Sequence, residues 1–353
     1  MRVFVVSDCH LGAGPQSGEV EHFDQDEAFA EFVDHVAAES GELIVAGDFF
    51  DTIQVRVDGR LSDRVYAEEA LAKVHRVVAG HPKVFDAFAR LVSAAQPLTF
   101  LVGNHDPALA FPEVRQFLAE RCGGRLGFQT RSVERGALHI HHGNEWDGAN
   151  AFGEDGVLRR DEVGCYVAFP WGSYLVIDFL TKVRKRVPEI ERIKPIGAYL
   201  RWAMQHRPMD AAWVAGHFLR FVLRYRFHPR ADQRISFPKL KGVLDHTCYS
   251  CTLTSEVAAY VESSDATVIV AGHTHRAMDV DLGGGKRYLN TGSWNPLITQ
   301  DDEGNFHTAL YLSFVVASVT DFGVEAALRR WDAANGSVPF EPSFAHSHLH
   351  GDS

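Results

Sequence analysis

Short apolar runs recur along the chain, and each closes on a burst of polar residues. Residues 3–7 run into Asp8-Cys9-His10, 43–46 into Gly47-Asp48, and 98–102 into Gly103-Asn104-His105-Asp106. Residues 138–141 run into His142-Gly143-Asn144, and 267–271 into Gly272-His273-Thr274-His275. Runs this short and this rich in Val, Ile and Leu suit strands covered on both faces. Between them, Phe29, Phe32, Val33 and Val36 fall on one helix face after an acidic start at Asp24 and Asp26. Further helical patterns lie at 66–78 and 84–92. Strand, helix, strand, helix points to α/β layering. After His275 the texture turns to strands, expected at 287–290, 308–316 and 324–329.

From about Gly148 to Thr254 this rhythm stops. The pattern there predicts helices with aromatic residues on one side and guanidinium groups on the other, as in Phe218-Leu-Arg-Phe-Val-Leu-Arg-Tyr-Arg-Phe227. We read 148–254 as an inserted helical cap on a core of 1–147 and 255–335, and 336–353 as a flexible tail without an apolar pattern.

Composition narrows the class. With 46% hydrophobic and 23% charged residues in 353, the chain carries ample material for a packed core, which excludes global disorder. No apolar run reaches the ~18 residues a membrane span needs. The first residues contain no apolar stretch of the secretory kind, so the expected compartment is the cytoplasm. Five scattered cysteines do not form a disulfide framework, and the lone Cys248-x-x-Cys251 reads as two ordinary thiols. The net charge of −11 hides a polarity: residues 171–245 hold 15 Lys and Arg against 6 Asp and Glu. Such an insert faces an anionic, partly apolar substrate, an anionic membrane at its inner face, or an oligomer interface or solvent.

The chemistry lies at the ends of the five runs. They supply Asp8, His10, Asp48, Asn104, His142, His273 and His275, all imidazole, carboxylate or amide ligands, and strand ends of α/β sheets open into the crevice where ligands bind. On an extended segment Asp8 and His10 would point the same way, with Cys9 opposite, and His273 and His275 likewise. Gly47, Gly103 and Gly272 each precede a ligand, where a side chain would obstruct close approach. Seven ligands are too many for one ion, which takes four, and about right for two that share a carboxylate. Mixed imidazole and oxygen donors suit Mn, Fe, Zn or Co, with Mn favoured.

In this order, Asp8-x-His10, Gly47-Asp48-x-x-Asp51, Gly103-Asn104-His105-Asp106, His142-Gly143 and Gly272-His273-x-His275 resemble the signature of the calcineurin-like metallophosphoesterases. The opening Asp8-Cys-His-Leu-Gly12, with His142-Gly-Asn-Glu-Trp-Asp147, Gly272-His-Thr-His-Arg276 and Asn290-Thr-Gly-Ser-Trp294, is similar to the UDP-2,3-diacylglucosamine pyrophosphohydrolase-like branch. The dedicated lipid A enzymes commonly have Arg where His105 stands, and the branch often has Asp where Asn144 stands. The resemblance implies a four-layer α/β/β/α sandwich and two divalent ions. Asp8, His10, Asp48 and His275 would hold one, and Asp48, Asn104, His142 and His273 the other, with a hydroxide between them attacking phosphorus. It implies that His105 stabilises the transition state or protonates the leaving oxygen, oriented by Asp106. Arg276 and Asn144 are candidate substrate contacts, and Asp51 a candidate supporting partner. The expected substrate is a phosphate ester or pyrophosphate, foremost a nucleotide-sugar lipid. A phosphodiesterase or nuclease acting on nucleic acid is the alternative enzyme, and a non-catalytic metal-binding scaffold the alternative of another class.

Overall fold

A computed structural model of the protein describes residues 1–193, 196–230, 233–235, 240, 252–301 and 303–341. Two sheets form its centre. The first has seven strands in the order β16 (Gly336–Pro339), β15 (Gly323–Asp332), β14 (Ser313–Thr320), β1 (Arg2–Val6), β2 (Glu42–Ala46), β3 (Leu98–Leu101) and β4 (Gly127–Gln129). The second has five, in the order β10 (Met278–Gly283), β11 (Lys286–Asn290), β9 (Val268–Ala271), β6 (Leu138–His141) and β5 (Ser132–Arg135). β1 to β4 run parallel to one another, as do β6, β9 and β11, so the ligand-bearing ends of each group share one edge.

Strand alternation builds the layers. Phe4, Leu43, Val45 and Phe100 face a helical layer of α1 (Asp26–Ala38), α2 (Ala67–Gly80), α3 (Pro82–Ser93) and α4 (Pro112–Cys122). Their neighbours Val3, Val5, Ile44 and Leu101 face the other way and meet Leu138, Ile140, Val268, Val270 and Leu289 of the second sheet. The far face of that sheet, with Ile269, Ala271 and Tyr288, is covered by Val257 and Val261 of a helix at Thr254–Glu262. Three apolar clusters between four layers give the α/β/β/α sandwich that the resemblance implies.

The insert forms a hairpin of β7 (Leu158–Arg160) and β8 (Cys165–Val167), then helical turns at α5 (Trp171–Tyr174), Leu175–Leu180 and α6 (Thr181–Val183). Two longer helices follow, α7 (Ile196–His206) and α8 (Pro208–Arg226), and the helix at Thr254–Glu262 is α9. Phe218, Phe221 and Tyr225 of α8 pack on Phe179, Trp171 and Tyr174, while Arg220 and Arg224 lie exposed, as the pattern of this segment predicts. A ribbon of β12 (Leu297–Gln300) and β13 (Phe306–Ala309) ties the cap to the core, for Ile298 N–H donates to Arg192 O.

Three expectations change. The strand expected at 308–316 is two strands, because Leu312 takes a left-handed backbone (φ 47°) that ends the ribbon and lets β14 enter the main sheet. The tail expected from 336 begins as β16, paired with β15 from Arg329 to Asp332; residues 342–353 lie outside the described residues, as do Cys248 and Cys251. Within the helical insert, β7 and β8 add a hairpin. Among the described residues no helix is long and apolar enough to cross a membrane.

Candidate metal centre

Asp8 and His10 follow β1, Asp48 follows β2, Asn104 and His105 follow β3, His142 follows β6, and His273 and His275 follow β9. Both sheets therefore contribute to one edge, and all seven expected ligands meet there. Asp8, His10 and His275 bring ligand atoms within 4.8 Å of one another, as do Asp48, His142 and His273. Asp48 lies between the groups: its Oδ2 is 3.2 Å from His142 Nε2 and 3.9 Å from His10 Nε2. His10 Nε2 and His275 Nε2 are 3.1 Å apart, and His275 Nε2 is 3.4 Å from Asp8 Oδ1.

The side chains converge by a route that strand alternation does not describe. Asp8, His10, Asp48, His273 and His275 all have left-handed backbones, with φ between 48° and 68°. Each such residue costs roughly 1–3 kcal/mol, a strain that persists only where the surroundings enforce it. The glycines show part of that enforcement. A Cβ at Gly103 would overlap the Asp48 carboxylate, and one at Gly272 would overlap Asp8 and Ser7, so the expectation for these positions holds.

The donor set fits cations. Among the described residues, Asp8 Oδ1, Asn104 Oδ1, His142 Nε2 and His273 Nδ1 are buried and have no hydrogen-bond partner. An orphaned buried acceptor is costly, and four converging ones call for positive charge. The opposite ring nitrogens are committed: His142 Nδ1–H donates to Ala46 O at 2.9 Å, and His273 Nε2–H to Asp147 Oδ2 at 3.0 Å. Each ring thus turns a lone pair to the centre, the tautomer a metal ligand needs. Burial resists the charge on Asp8, but the His10 hydrogen bond and the charge of His275 hold its carboxyl down at about 2.

His105 stands beside this centre, its ring 4.6 Å from that of His10. Its Nδ1 meets Asp51 Oδ1 at 3.0 Å, and Asp48 Oδ1 accepts from its backbone N–H at 2.7 Å. Burial favours the neutral ring, but the Asp48 and Asp51 carboxylates override it and raise the imidazole to about 9. The partner expected from sequence, Asp106, does not touch the ring. Its Oδ1 accepts from Gly103 N–H at 2.6 Å and its Oδ2 from Phe49 N–H at 2.9 Å, so it locks together the loops after β2 and β3.

Two expected substrate contacts are not part of the described cleft lining. Asn144 is buried and donates to Asn150 O at 2.9 Å, and Arg276 turns its backbone N–H toward Thr274 Oγ1. Sequence reasoning passed over Asp147, which lines the cleft and orients His273; its place in the His142–Asp147 motif was the available signal. It also passed over Gln54 and Glu191.

The cleft above the centre has a volume of about 200 Å³. Its lining joins the polar residues of the centre to Leu175, Val176, Leu180 and Ile196 of the cap, with Glu191 and Arg192 among them, and to Leu297 of β12.

Among solved structures, the chain is similar to a dimetal phosphatase from Danio rerio, at 11% identity over 97% of both chains with a TM-score of 0.38. It is similar to a metallophosphoesterase from Sphaerobacter thermophilus, at 12% identity over 94% of this chain and 89% of the other, TM-score 0.34. A third is Vps29 from Entamoeba histolytica complexed with zinc, at 11% identity over 94% of both chains, TM-score 0.28. No curated protein matches the chain significantly. A family model described as calcineurin-like phosphoesterase matches residues 1–277, most of the chain and every residue of the centre, and with that the chain belongs to the calcineurin-like phosphoesterases, metal-dependent hydrolases of phosphoesters.

Proposed function

We propose that this enzyme hydrolyses a phosphate ester or pyrophosphate joined to an apolar group, of the nucleotide-sugar lipid or phospholipid kind, with two divalent ions, manganese foremost, on the floor of its cleft. The observation that carries the reading is one cleft lined both by His105 with ligand residues such as Asp48, Asn104 and His273 and by a group of apolar cap side chains. Phosphoryl oxygens fit the first, and an acyl or prenyl segment fits the second.

Asp8, His10, Asp48 and His275 would hold one ion, and Asp48, Asn104, His142 and His273 the other. Such ions supply Lewis-acid neutralisation of phosphoryl charge and lower the pKa of a water. The chain's residues do the rest. Asp48 holds the His105 backbone, and Asp51 fixes the ring by Nδ1, which leaves Nε2 to deliver a proton to the leaving oxygen. The apolar cap side chains exclude water and orient the substrate.

The cap supports a partner as well. Met209, Leu219, Leu223 and Phe227 fall on one face of α8 and its end, 50–79% exposed, flanked by Arg220 and Arg224. Apolar side chains within a basic rim suit an anionic bilayer, where a lipid-linked substrate would reside.

The test is elemental analysis of the purified protein joined to a substrate panel of monoesters, diesters, nucleotide-sugar lipids and single-stranded RNA. We expect close to two ions per chain and a kcat/KM that rises with acyl length. Occupancy far below one ion after manganese supplementation overturns the centre, and preference for RNA replaces the lipid reading with a nuclease.

A further inference from the structure

A row of polar side chains joins the cap to His105, and neither the cations nor the substrate wall accounts for it. Asp51 receives His105 Nδ1–H on Oδ1; on Oδ2 it accepts from Gln54 Nε2 at 2.7 Å. The Gln54 carbonyl oxygen accepts from Nη2 of Arg184, and Gln54 Nε2 also lies 3.4 Å from Glu191 Oε2. Arg184 Nη2 donates to Glu191 Oε1 at 2.7 Å, and His22 Nε2 meets Glu191 Oε2 at 3.0 Å. Arg184 and Glu191 belong to the insert, whereas Gln54 and Asp51 lie on the loop after β2.

Each link has one permitted direction. Carboxylates only accept and a guanidinium only donates, so the Gln54 amide must turn its NH2 to Asp51 and its oxygen to Arg184. A glutamate at 54 would set carboxylate against carboxylate. The Arg184 and Glu191 side chains are 11% and 14% exposed, so their pairing is largely shielded from water, where charge-assisted bonds hold geometry best. Arg184 itself is not among the described residues that line the cleft, so whatever it does for the reaction passes through its neighbours.

We propose that Arg184, Glu191 and Gln54 are positioning residues: the seated cap fixes Asp51 and, through it, the orientation of the His105 ring. The insert then completes the acid as well as walling the cleft. This rests on the reading of His105 as the group that protonates the leaving oxygen. An imidazole whose Asp51 partner swings free samples other rotamers, and small misplacements of a reacting group cost up to about a hundredfold in rate.

The experiment uses full-length, manganese-loaded protein and aryl phosphate esters whose phenols differ in acidity. The variants are Arg184→Ala, Gln54→Glu, His105→Ala and the double variant Arg184→Ala/His105→Ala. We expect Arg184→Ala to lower kcat roughly tenfold on the poorest leaving group and little on the best, where a proton is hardly needed. KM and manganese content should stay at the parent values. In the His105→Ala background, Arg184→Ala should cost nothing further. Multiplying losses in the double variant, or a change in KM alone, would overturn the relay while leaving the role of His105 intact. Full kcat in His105→Ala refutes that role, and the relay with it. If Arg184→Ala does not fold, the same comparison made with Gln54→Glu decides the matter.

Discussion

At the floor of the cleft and just beneath it, Asp8 Oδ1, Asn104 Oδ1, His142 Nε2 and His273 Nδ1 are buried without a hydrogen-bond partner among the described residues, and five ligand residues have left-handed backbones. In the cap above, charges meet within the chain: Arg184 with Glu191, Arg186 with Asp210, Arg192 with Glu189, Arg224 with Asp178. The floor is unsatisfied and strained by itself; in the cap the few acidic groups are paired, a basic excess is left over, and apolar side chains face the cleft and solvent. Unpaired donor atoms in a rigid setting mark where charge is to be bound from outside, whereas paired charges on helices position and screen. The supports differ too. Beneath the floor, fully buried His81 sits between Asp26 and Glu21, and Glu21 in turn accepts from Gly12 and Gly14 N–H; the cap pairs are mostly half-exposed and contribute little each.

The largest effect that would break this contrast belongs to Asp48. Asp48→Ala should lose both ions and lower kcat/KM by more than about a thousandfold, read by elemental analysis and hydrolysis rate together. Full activity in that variant would mean that the floor is not the reaction centre. His105→Ala should keep the ions yet lose roughly a hundredfold or more in kcat. Loss of metal there would make His105 a ligand, as its closeness to His10 and Asp48 would then require.

The support beneath the floor predicts a pH dependence of stability. Burial disfavours the His81 cation, but Asp26 and Glu21 outweigh it and raise the ring from 6.5 to about 9. A group bound more tightly by protons in the folded state stabilises fully below its unfolded value and loses that contribution as pH rises through its folded one. Denaturant unfolding should therefore show roughly 3 kcal/mol less stability at pH 10 than at pH 6 from this residue, a difference absent in His81→Asn. Equal pH slopes in the two proteins would remove His81 from the account. The smallest effect belongs to the outer face of the cap: Leu219→Glu with Leu223→Glu should reduce sedimentation with anionic vesicles about tenfold, leaving hydrolysis of a soluble aryl ester unchanged. Unaltered sedimentation would leave that face to solvent or to a second copy.

The ligands were legible because each follows an apolar strand and most stand beside a glycine or in a short repeated motif, so type and place are encoded within a few residues. Their backbone conformation was not: alternation on an extended chain brings Asp8 and His10 to one side, and the fold does the same with φ of 52° and 48°. Asp106 illustrates a different failure. Adjacency to His105 suggested contact, yet the turn buries its carboxylate against Gly103 and Phe49 N–H, and Asp51, 54 residues upstream of His105, takes the place beside the ring. Asn144 was expected to contact substrate and is buried in a loop contact. Periodicity found α1 to α3 but passed over α4, and it joined β13 to β14 because the break at Leu312 depends on two different pairing partners.

By itself the sequence determined the α/β order, the strand-end ligands, the glycines that let them approach and the excess of basic residues in the insert, since each of these is set by local propensity, periodicity or composition. Only the tertiary structure decided which lone pairs face the centre, that Asp51 holds His105, and that Arg184 and Glu191 reach Gln54 across 130 and 137 residues. Such pairings depend on how two sheets and a cap close upon one another, and no local pattern records a contact between side chains that only closure brings within hydrogen-bonding distance.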